Sequence, residues 1–429
     1  MSIRPCALQN PVFCRLKEIY DNREQEARRL RASGRKVIGL WGADVPEELI
    51  LAAGMQPIRI YAEPGGPMEE ADTYLEYAFD PMVRAQFQKV VDGSYQELAD
   101  AIAISNSTDV LIRIYLYLRE LNRVEQERGL PPIAFIDWLF TRRRMHQERN
   151  ELVMKLFWEQ VEAWAGHSVS GEAVREAAVI CNENRQALRE LDVLRRGAQI
   201  HITGSEMLVA IGSGFFMERR EHTELLRQLA EEAGQWPQIA GQRVFFTGSM
   251  QTDTGLYERI EEQGLVIVGE DHDWGGRSFD RDYNRNYPPL RALVDCYMLR
   301  EFSSKKAFVS QRVEALERQV KAVKAKGVIF YTNLYEDAAS WDYPSQRARL
   351  EEQGIETLHC AKMPWPLPKE EAAGLAEQLQ QLAGRLEERQ SAAKSGEGES
   401  CRLSGEGKLA GRLEEGGRGY RCQDNQSQR

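Results

Sequence analysis

The segment at residues 35–57, RKVIGLWGADVPEELILAAGMQP, constrains the fold of this chain more than any other. Its apolar run Val37–Trp41 has the composition of a parallel strand that is buried on both faces. A turn follows, and Pro46 takes the first position of a helix, where its missing N–H costs nothing. Glu47 and Glu48 fall in the first helical turn, where the positive end of the helix dipole favours carboxylates. The segment therefore predicts a βα unit, and open α/β sheets bind ligands at the turn after such a strand.

Short apolar runs alternate with helical patterns along the rest of the chain. Strands are predicted at residues 37–41, 58–63, 101–104, 133–136, 244–249, 265–268, 328–331 and 354–358. Strands that alternate with helices form parallel sheets with helices on both faces. The sequence thus predicts an α/β fold with two parallel-sheet domains of the Rossmann-like or flavodoxin-like kind.

The length of the chain indicates more than one core, because 429 residues exceed what a single ordinary domain buries. We expect a helical lead at residues 1–32, a first α/β domain with a helical extension at 33–195, and a second α/β domain at 196–388. From residue 389 the chain is rich in Ser, Gly, Glu, Gln and Arg and has few large apolar residues. Such a composition predicts a disordered tail at residues 389–429.

The overall composition excludes several classes of protein. Hydrophobic residues make up 42% and charged residues 28% of the chain, and no apolar run reaches the roughly 20 residues of a membrane span. The first residues lack the apolar core of a signal peptide, so a cytoplasmic location is expected. A net charge of −10 argues against a nucleic-acid surface. The seven cysteines are scattered without a CxxC pair and are expected to be free thiols.

The familiar catalytic motifs are absent, since no GxGxxG after a strand, P-loop, HExxH or GxSxG is present and the six histidines lack metal-ligand spacing. What remains is a set of polar turns at the ends of predicted strands. These turns are at residues 44–48, 80–81, 105–109, 270–277 and 335–337. Any one of them could equally be a capped helix start or a solvated loop, because caps and loops use the same residue types.

Four segments together resemble one protein family. PEELILAAGMQP at residues 46–57 is similar to the PxELIxAAGxxP signature of the 2-hydroxyacyl-CoA dehydratase and benzoyl-CoA reductase subunit family. RVFFTGS, GEDHDWGGR and GVIFYTNLYEDAASWDYP follow in the family's order and spacing, so the resemblance covers residues 35–358. It implies two α/β domains, a heterodimer, a [4Fe–4S] cluster and an ATP-driven activator protein that supplies an electron. It also implies ketyl radical chemistry on a CoA thioester, leading to dehydration (a lyase) or ring reduction (an oxidoreductase).

One departure from the family pattern affects the cofactor. The resemblance implies cysteine ligands to the cluster at three positions, which here are Asp80, Thr108 and Glu336. Iron–sulfur clusters depend on thiolates, so no metal cofactor is expected on this chain. A [4Fe–4S] cluster would then require a partner subunit or non-cysteine ligands. An oxygen-only set would suit a hard cation such as Mg²⁺ or Mn²⁺, and that alternative stays open.

The resemblance also suggests site residues. Glu48 matches an acid of the family's helix start and is the candidate catalytic group near a substrate carbonyl, although it could simply stabilise the helix dipole. Glycines and an arginine at strand ends could admit a CoA phosphate, unless these are ordinary βα turns. The candidate substrate-binding residues are Ala43, Asp44, Gly248, Ser249, Gly275, Gly276 and Arg277.

Two functions follow from these observations. In the first, the chain is a subunit of an acyl-CoA dehydratase or reductase complex, and a homologous cysteine-bearing subunit holds the cluster. In the second, it is a redox-silent acyl-CoA-binding or assembly subunit. The replaced ligand positions favour a role other than independent radical catalysis, and the retained PEEL helix favours a surviving acyl-CoA pocket.

Overall fold

Two four-stranded parallel sheets form the framework of the protein. The computed structural model describes residues 3–63, 65–301 and 306–403. The strand order is β2-β1-β3-β4 in the first sheet and β6-β5-β7-β8 in the second, and every pair is parallel. The strands are β1 (Val37–Trp41), β2 (Gln56–Arg59), β3 (Ala101–Ser105), β4 (Ile133–Ile136), β5 (Gln242–Gly248), β6 (Leu265–Glu270), β7 (Gly327–Asn333) and β8 (Glu356–Met363). The predicted α/β fold with two parallel sheets is confirmed.

Helices separate the strands and cover both faces of each sheet. They are α1 (Pro5–Leu8), α2 (Pro11–Asp21), α3 (Arg23–Ala32), α4 (Glu47–Ala52), α5 (Glu69–Tyr74), α6 (Pro81–Val91), α7 (Asp109–Val124), α8 (Arg144–Ala165), α9 (Gly171–Arg196), α10 (Gly204–Ser213), α11 (Arg219–Ala233), α12 (Gly255–Glu262), α13 (Pro289–Met298), α14 (Val309–Ala322), α15 (Asp337–Glu351) and α16 (Lys369–Leu403). Short 3₁₀ turns lie at Ser94–Gln96, Gln126–Arg128 and Gly276–Phe279. Among the helices described, none is long and apolar enough to cross a lipid bilayer.

Most element boundaries agree with the sequence, and two differ. The second strand begins at Gln56, earlier than predicted, because Gly54 ends α4 with φ +74° and the chain enters the sheet at once. The C-terminal helix α16 extends past residue 389, where we expected regular structure to end. The rest of the expected tail, residues 404–429, lies outside the described residues.

Each sheet is buried between two apolar layers. In β1, Val37 and Trp41 belong to one hydrophobic cluster, whereas Ile38 and Leu40 belong to another on the opposite face. This alternation follows from the two-residue period of a strand. The second sheet is buried in the same way by its own two clusters. Both sheets lie in one compact unit that ends at Leu386, and the expected boundary between residues 195 and 196 stays a prediction.

A buried ion-pair network joins the end of α9 to the end of β6. Arg195 is fully buried, and its Nη2 donates to Glu270 Oε1 at 2.7 Å, while its Nε donates to Asp192 Oδ1 at 2.6 Å. Burial alone would lower the pKa of Arg195, but the two carboxylates outweigh it and raise that pKa. The network fixes the position from which the loop after β6 starts.

We expect Arg195→Met to lower the free energy of unfolding by about 3–5 kcal/mol, because it leaves the buried carboxylate of Glu270 without a cation. Urea unfolding followed by circular dichroism measures this change. The control is Arg347→Met, which removes an exposed pair with Glu351 on α15 and should leave the free energy of unfolding nearly unchanged. Equal losses in the two variants would contradict the structural role of Arg195.

Candidate functional site

A cavity of about 380 Å³ lies where the carboxyl ends of the strands of both sheets face each other. Its walls come from the residues that follow β1, β2, β3, β5, β6 and β7, together with α6, α14 and α15. Open α/β sheets bind ligands at this end of their strands, and the volume lies within the range of small-molecule sites. The cavity is therefore the candidate functional site.

The three positions at which the family resemblance implies cluster ligands meet at this cavity. Asp80, Thr108 and Glu336 all line it. Each is the N-cap residue of a helix, of α6, α7 and α15 respectively. The cap position explains the convergence, because a helix that follows a parallel strand begins at the sheet edge that faces the cavity.

Two of these residues are acids with raised pKa values. Asp80 Oδ1 accepts hydrogen bonds from the backbone N–H groups of Met82 at 2.8 Å and Val83 at 3.1 Å. Burial outweighs these bonds and raises the pKa of Asp80 to about 6. Burial, followed by the charge of Asp80, raises the pKa of Glu336 to about 7, although Glu336 accepts a hydrogen bond from Ser249 Oγ. The two carboxyl groups therefore interact and titrate near neutral pH.

The donor set at this site does not fit a [4Fe–4S] cluster. Asp80, Thr108 and Glu336 offer oxygen atoms only, whereas such clusters depend on thiolates. Of the residues that the structure describes as lining the cavity, none is a cysteine. Within residues 3–63, 65–301 and 306–403, no group of three or more His, Cys, Asp or Glu side chains is arranged to hold a metal ion. The site is better described by its hydrogen-bonding groups than by metal ligands.

Among the described residues, Arg277 is one of four arginines that line the cavity, together with Arg59, Arg113 and Arg312. Its side chain is buried, with 4% of the residue exposed, and Nη1 lies 2.8 Å from Asp273 Oδ1. Its Nε and Nη2 are also buried, and neither has a hydrogen-bond partner among the described residues. Buried polar groups in folded proteins are nearly always paired, so this edge of the guanidinium is available to an oxygen atom of a ligand.

The segment EDHDW places two further titratable groups at the cavity. Thr247 Oγ1 donates to Asp271 Oδ2 at 3.0 Å, and burial raises the pKa of Asp271 to about 7. Burial lowers the pKa of His272 to about 4, so its ring is neutral at pH 7. Its Nδ1 accepts from the N–H of Trp274 at 3.2 Å, and its Nε2 lies 2.8 Å from the Tyr257 hydroxyl.

Sequence reasoning missed the side chain of Asn333 as part of the site. Asn333 is 3% exposed, lines the cavity beside Asp80, and forms a hydrogen bond with that carboxyl group. Its Oδ1 has no partner in the described part of the chain. The sequence places Asn333 just after a predicted strand, and this position alone does not show which side chains Asn333 contacts.

Glu48, the candidate catalytic group, is not among the residues that line the cavity. It is fully buried, with Oε1 accepting from Arg185 Nη2 at 2.5 Å and Oε2 accepting from the Tyr297 hydroxyl at 2.8 Å. Both carboxylate oxygens are therefore used in contacts with α9 and α13. A catalytic role for Glu48 stays a prediction, and its side chain does not line the cavity.

Ala43 and Asp44 lie in the turn after β1 and are held by residues from other parts of the chain. The N–H of Ala43 donates to Ser107 Oγ at 2.9 Å, and Lys306 Nζ lies 2.5 Å from Asp44 Oδ1. Burial would raise the pKa of Asp44, but nearby cations, Lys306 first, outweigh burial and lower it. Neither residue lines the main cavity, whereas Gly42 beside them does.

The predicted glycines divide into two groups. Gly248 lines the cavity with φ +118°, and a Cβ there would lie 2.1 Å from the Tyr331 carbonyl oxygen. A Cβ at Gly275 would lie 2.3 Å from Glu270 Cγ, and one at Gly276 would lie 2.5 Å from the Glu270 carbonyl oxygen. The last two glycines thus make room for Glu270 within the protein, and neither lines the cavity. Ser249 is buried beneath Glu336.

The fold and the cavity together define an α/β protein with a candidate ligand site at the carboxyl ends of its strands. Residues 43–388 match the family described as "2-hydroxyglutaryl-CoA dehydratase, D-component", and the chain belongs to this family. The resemblance seen in the sequence is confirmed.

Proteins similar to this chain are named as subunits of acyl-CoA dehydratases or of benzoyl-CoA reductase. The chain is 26% identical to the (R)-phenyllactyl-CoA dehydratase beta subunit of Clostridium sporogenes, over 80% of this chain and 91% of that protein. It is 24% identical to the beta subunit of (R)-2-hydroxyglutaryl-CoA dehydratase from Acidaminococcus fermentans, over 76% and 86%. It is 22% identical to one of the subunits of benzoyl-CoA reductase from Thauera aromatica, over 80% and 90%.

The raised pKa of Glu336 predicts that the wild type and Glu336→Gln differ in stability by an amount that depends on pH. A carboxyl group whose pKa is raised on folding stabilises the protein while it is protonated, and this stability is lost as the pH rises from about 4.5 through about 7. Glu336→Gln imitates the protonated form. We expect it to be more stable than the wild type by about 1–2 kcal/mol at pH 8, allowing for solvent screening, and to match it at pH 4.5.

Urea unfolding at the two pH values tests this expectation. The control is Glu262→Gln at an exposed position of α12, which should match the wild type at both pH values. A Glu336→Gln protein that is less stable at pH 8 than the wild type would show that Glu336 is ionised and well paired.

Proposed function

We propose that this chain is an acyl-CoA-binding subunit of a complex of the 2-hydroxyacyl-CoA dehydratase or benzoyl-CoA reductase type, in which a homologous cysteine-bearing subunit holds the [4Fe–4S] cluster. The observation that supports this proposal is the convergence of Asp80, Thr108 and Glu336 on one cavity. The positions that belong together in the family still form one site, but their side chains no longer suit a cluster.

The cavity has the surface that an acyl thioester requires. Its lining includes apolar side chains such as Trp41, Phe79 and Leu316 as well as Arg277, whose Nε and Nη2 have no partner among the described residues. A volume of about 380 Å³ suits an acyl group and its thioester, so most of the CoA moiety would remain outside. Arg277 would then contact the thioester carbonyl oxygen at the mouth of the acyl site.

A partner chain is part of this proposal. The relatives are themselves named as single subunits of larger enzymes, which implies that each works beside at least one other chain. The electron from an ATP-dependent activator, and the ketyl radical chemistry that the family resemblance implies, would then belong to the partner that holds the cluster. Whether the complex eliminates water or reduces a ring depends on that partner.

A second candidate is a redox-silent acyl-CoA-binding or assembly subunit. The replacement of all three thiolate positions by oxygen donors favours it, because the part of the chain that the structure describes retains no group arranged to hold a metal. The two candidates share the acyl-CoA cavity and differ in the cofactor content of the assembled complex.

Arg277→Gln should weaken acyl-CoA binding by roughly 10- to 100-fold, because a hydrogen bond to a charged group is worth about 1.5–3 kcal/mol. Isothermal titration with butanoyl-CoA measures this loss. The control is Arg113→Gln, which removes an arginine at the cavity that already pairs with Glu76 at 2.6 Å and should change the affinity less than about 3-fold. An unchanged affinity in Arg277→Gln would contradict the proposed binding mode.

Iron and acid-labile sulfide in anaerobically purified protein test the division of labour between subunits. We expect no iron in the chain alone, and about four irons and four sulfides when the partner is present. About four irons in the isolated chain would overturn the proposal. Iron missing from the complex as well would favour the redox-silent alternative.

A further inference from the structure

The two interacting acids at the cavity, Asp80 and Glu336, have no role in a purely passive binding subunit. We propose that this chain itself catalyses proton transfer at the carbon next to the thioester carbonyl of a bound acyl-CoA. Asp80 and Glu336 form the acid–base pair, and Arg277 donates hydrogen bonds to the carbonyl oxygen. This inference rests on the proposed function, because it takes an acyl-CoA as the ligand.

The acid pair is built by contacts from both sheets. Asp80 is held by the N–H groups at the start of α6, on the side of the first sheet. Glu336 follows β7 of the second sheet and is held by Ser249 Oγ, which itself accepts from the N–H of Asn333 at 2.8 Å. Asn333 also forms a side-chain hydrogen bond with Asp80. Both carboxyl groups are therefore fixed in position at the same cavity.

The charges around the pair, among the described residues, leave its acids without a dedicated counter-ion. Arg312, which lines the cavity, is already paired with both carboxylate oxygens of Asp342. Of the other arginines at the cavity, Arg113 is paired with Glu76, and the guanidinium of Arg59 lies over the ring of Phe215. Arg277 pairs through Nη1 with Asp273, whose charge raises the pKa of Glu336 further. The pKa values of about 6 for Asp80 and about 7 for Glu336 provide a base and a proton donor near neutral pH.

Positive electrostatic potential at the cavity favours the charge that such a reaction develops. The helices α6, α7 and α15 all begin there, so the positive ends of three helix dipoles point towards the ligand. The buried Nε and Nη2 of Arg277 are two donors without a protein partner in the described residues. Preorganised donors of this kind stabilise an oxyanion in a site that excludes water.

The proposed step is balanced without an oxidant or a reductant. Asp80 removes a proton from the α-carbon, and the electron pair of that C–H bond forms the carbon–carbon double bond of an enolate. The π electrons of the carbonyl move to its oxygen, which accepts hydrogen bonds from Arg277. The reverse movement returns a proton to the α-carbon from Asp80 or Glu336. Because carboxyl protons exchange with water, the net result in D₂O is replacement of α-hydrogen by deuterium.

The test incubates the full chain with butanoyl-CoA, 3-phenylpropanoyl-CoA and glutaryl-CoA in D₂O and follows deuterium at the α-carbon by mass spectrometry. We expect exchange well above the protein-free rate with at least one of them. Asp80→Asn and Glu336→Gln should lower the exchange rate at least 100-fold while keeping the acyl-CoA affinity within about 5-fold. Retained affinity also shows that these variants are folded.

The matched control is Glu261→Gln, a buried acid whose pKa burial also raises to about 7 but which is held by Ser205 at the start of α10 and does not line the cavity. It should retain exchange within about 3-fold. Loss of exchange in this control to the same extent would overturn the assignment to Asp80 and Glu336.

The outcomes separate the two proposals. Tight binding of acyl-CoA without exchange in the wild type would overturn the acid–base role and leave the proposed function intact. Exchange that persists in both pair variants would also overturn the role. Absence of acyl-CoA binding would overturn the proposed function and this inference together. Exchange that depends on both acids, in protein without bound iron, would establish a reaction that this chain performs by itself.

Discussion

The polarity of the parallel strands is the constraint on which the rest of this structure depends. Parallel strands of one sheet all end at the same edge, and the helices that follow them begin there. In this protein the carboxyl ends of two such sheets border a single cavity. Chain segments far apart in sequence, such as those around Asp80 and Glu336, are therefore brought together without any direct link between them. The same geometry directs the positive ends of several helix dipoles at the cavity, which makes it suited to ligands that carry or develop negative charge.

Several buried acids that hold the fold together have a cation beside them, whereas the acid pair at the cavity has none among the described residues. Burying a carboxylate is costly unless a cation or several donors compensate it. Glu48 is compensated by Arg185, Glu270 by Arg195, and Asp44 by Lys306. These acids hold helices, strands and turns in place. Asp80 and Glu336 have no cation of this kind among the described residues and show raised pKa values instead. Retaining an uncompensated pair lowers stability, and such a cost is typical of sites that bind or act on a ligand.

The sequence predicted the fold well because its signals are local. Apolar runs of strand length, bounded by Gly, Pro and polar residues, are sufficient to identify a strand such as Val37–Trp41. The site was predicted only in part, since a side chain's partner depends on tertiary contacts. The acid Glu48 has the position of a catalytic group in the sequence, yet its partner Arg185 lies far along the chain. Gly275 resembles a phosphate-binding glycine, but the group that approaches its backbone is the neighbouring Glu270.

The replacement of the family's cysteine positions is not explained by helix capping alone. Aspartate is a favoured N-cap, and Asp80 does accept the hydrogen bonds of a cap, so its presence has a structural reason. Neither Thr108 nor Glu336 caps its helix with its side chain. Glu336 instead forms a hydrogen bond with Ser249 and lies close enough to Asp80 to be repelled by it. The side chain of Glu336 does not cap its helix and is repelled by Asp80. This arrangement destabilises the fold, so stability gives no reason for a glutamate at this position. Its position is understandable if the carboxyl group acts on the ligand of the cavity, because a buried carboxyl group that titrates near neutral pH can exchange a proton with that ligand.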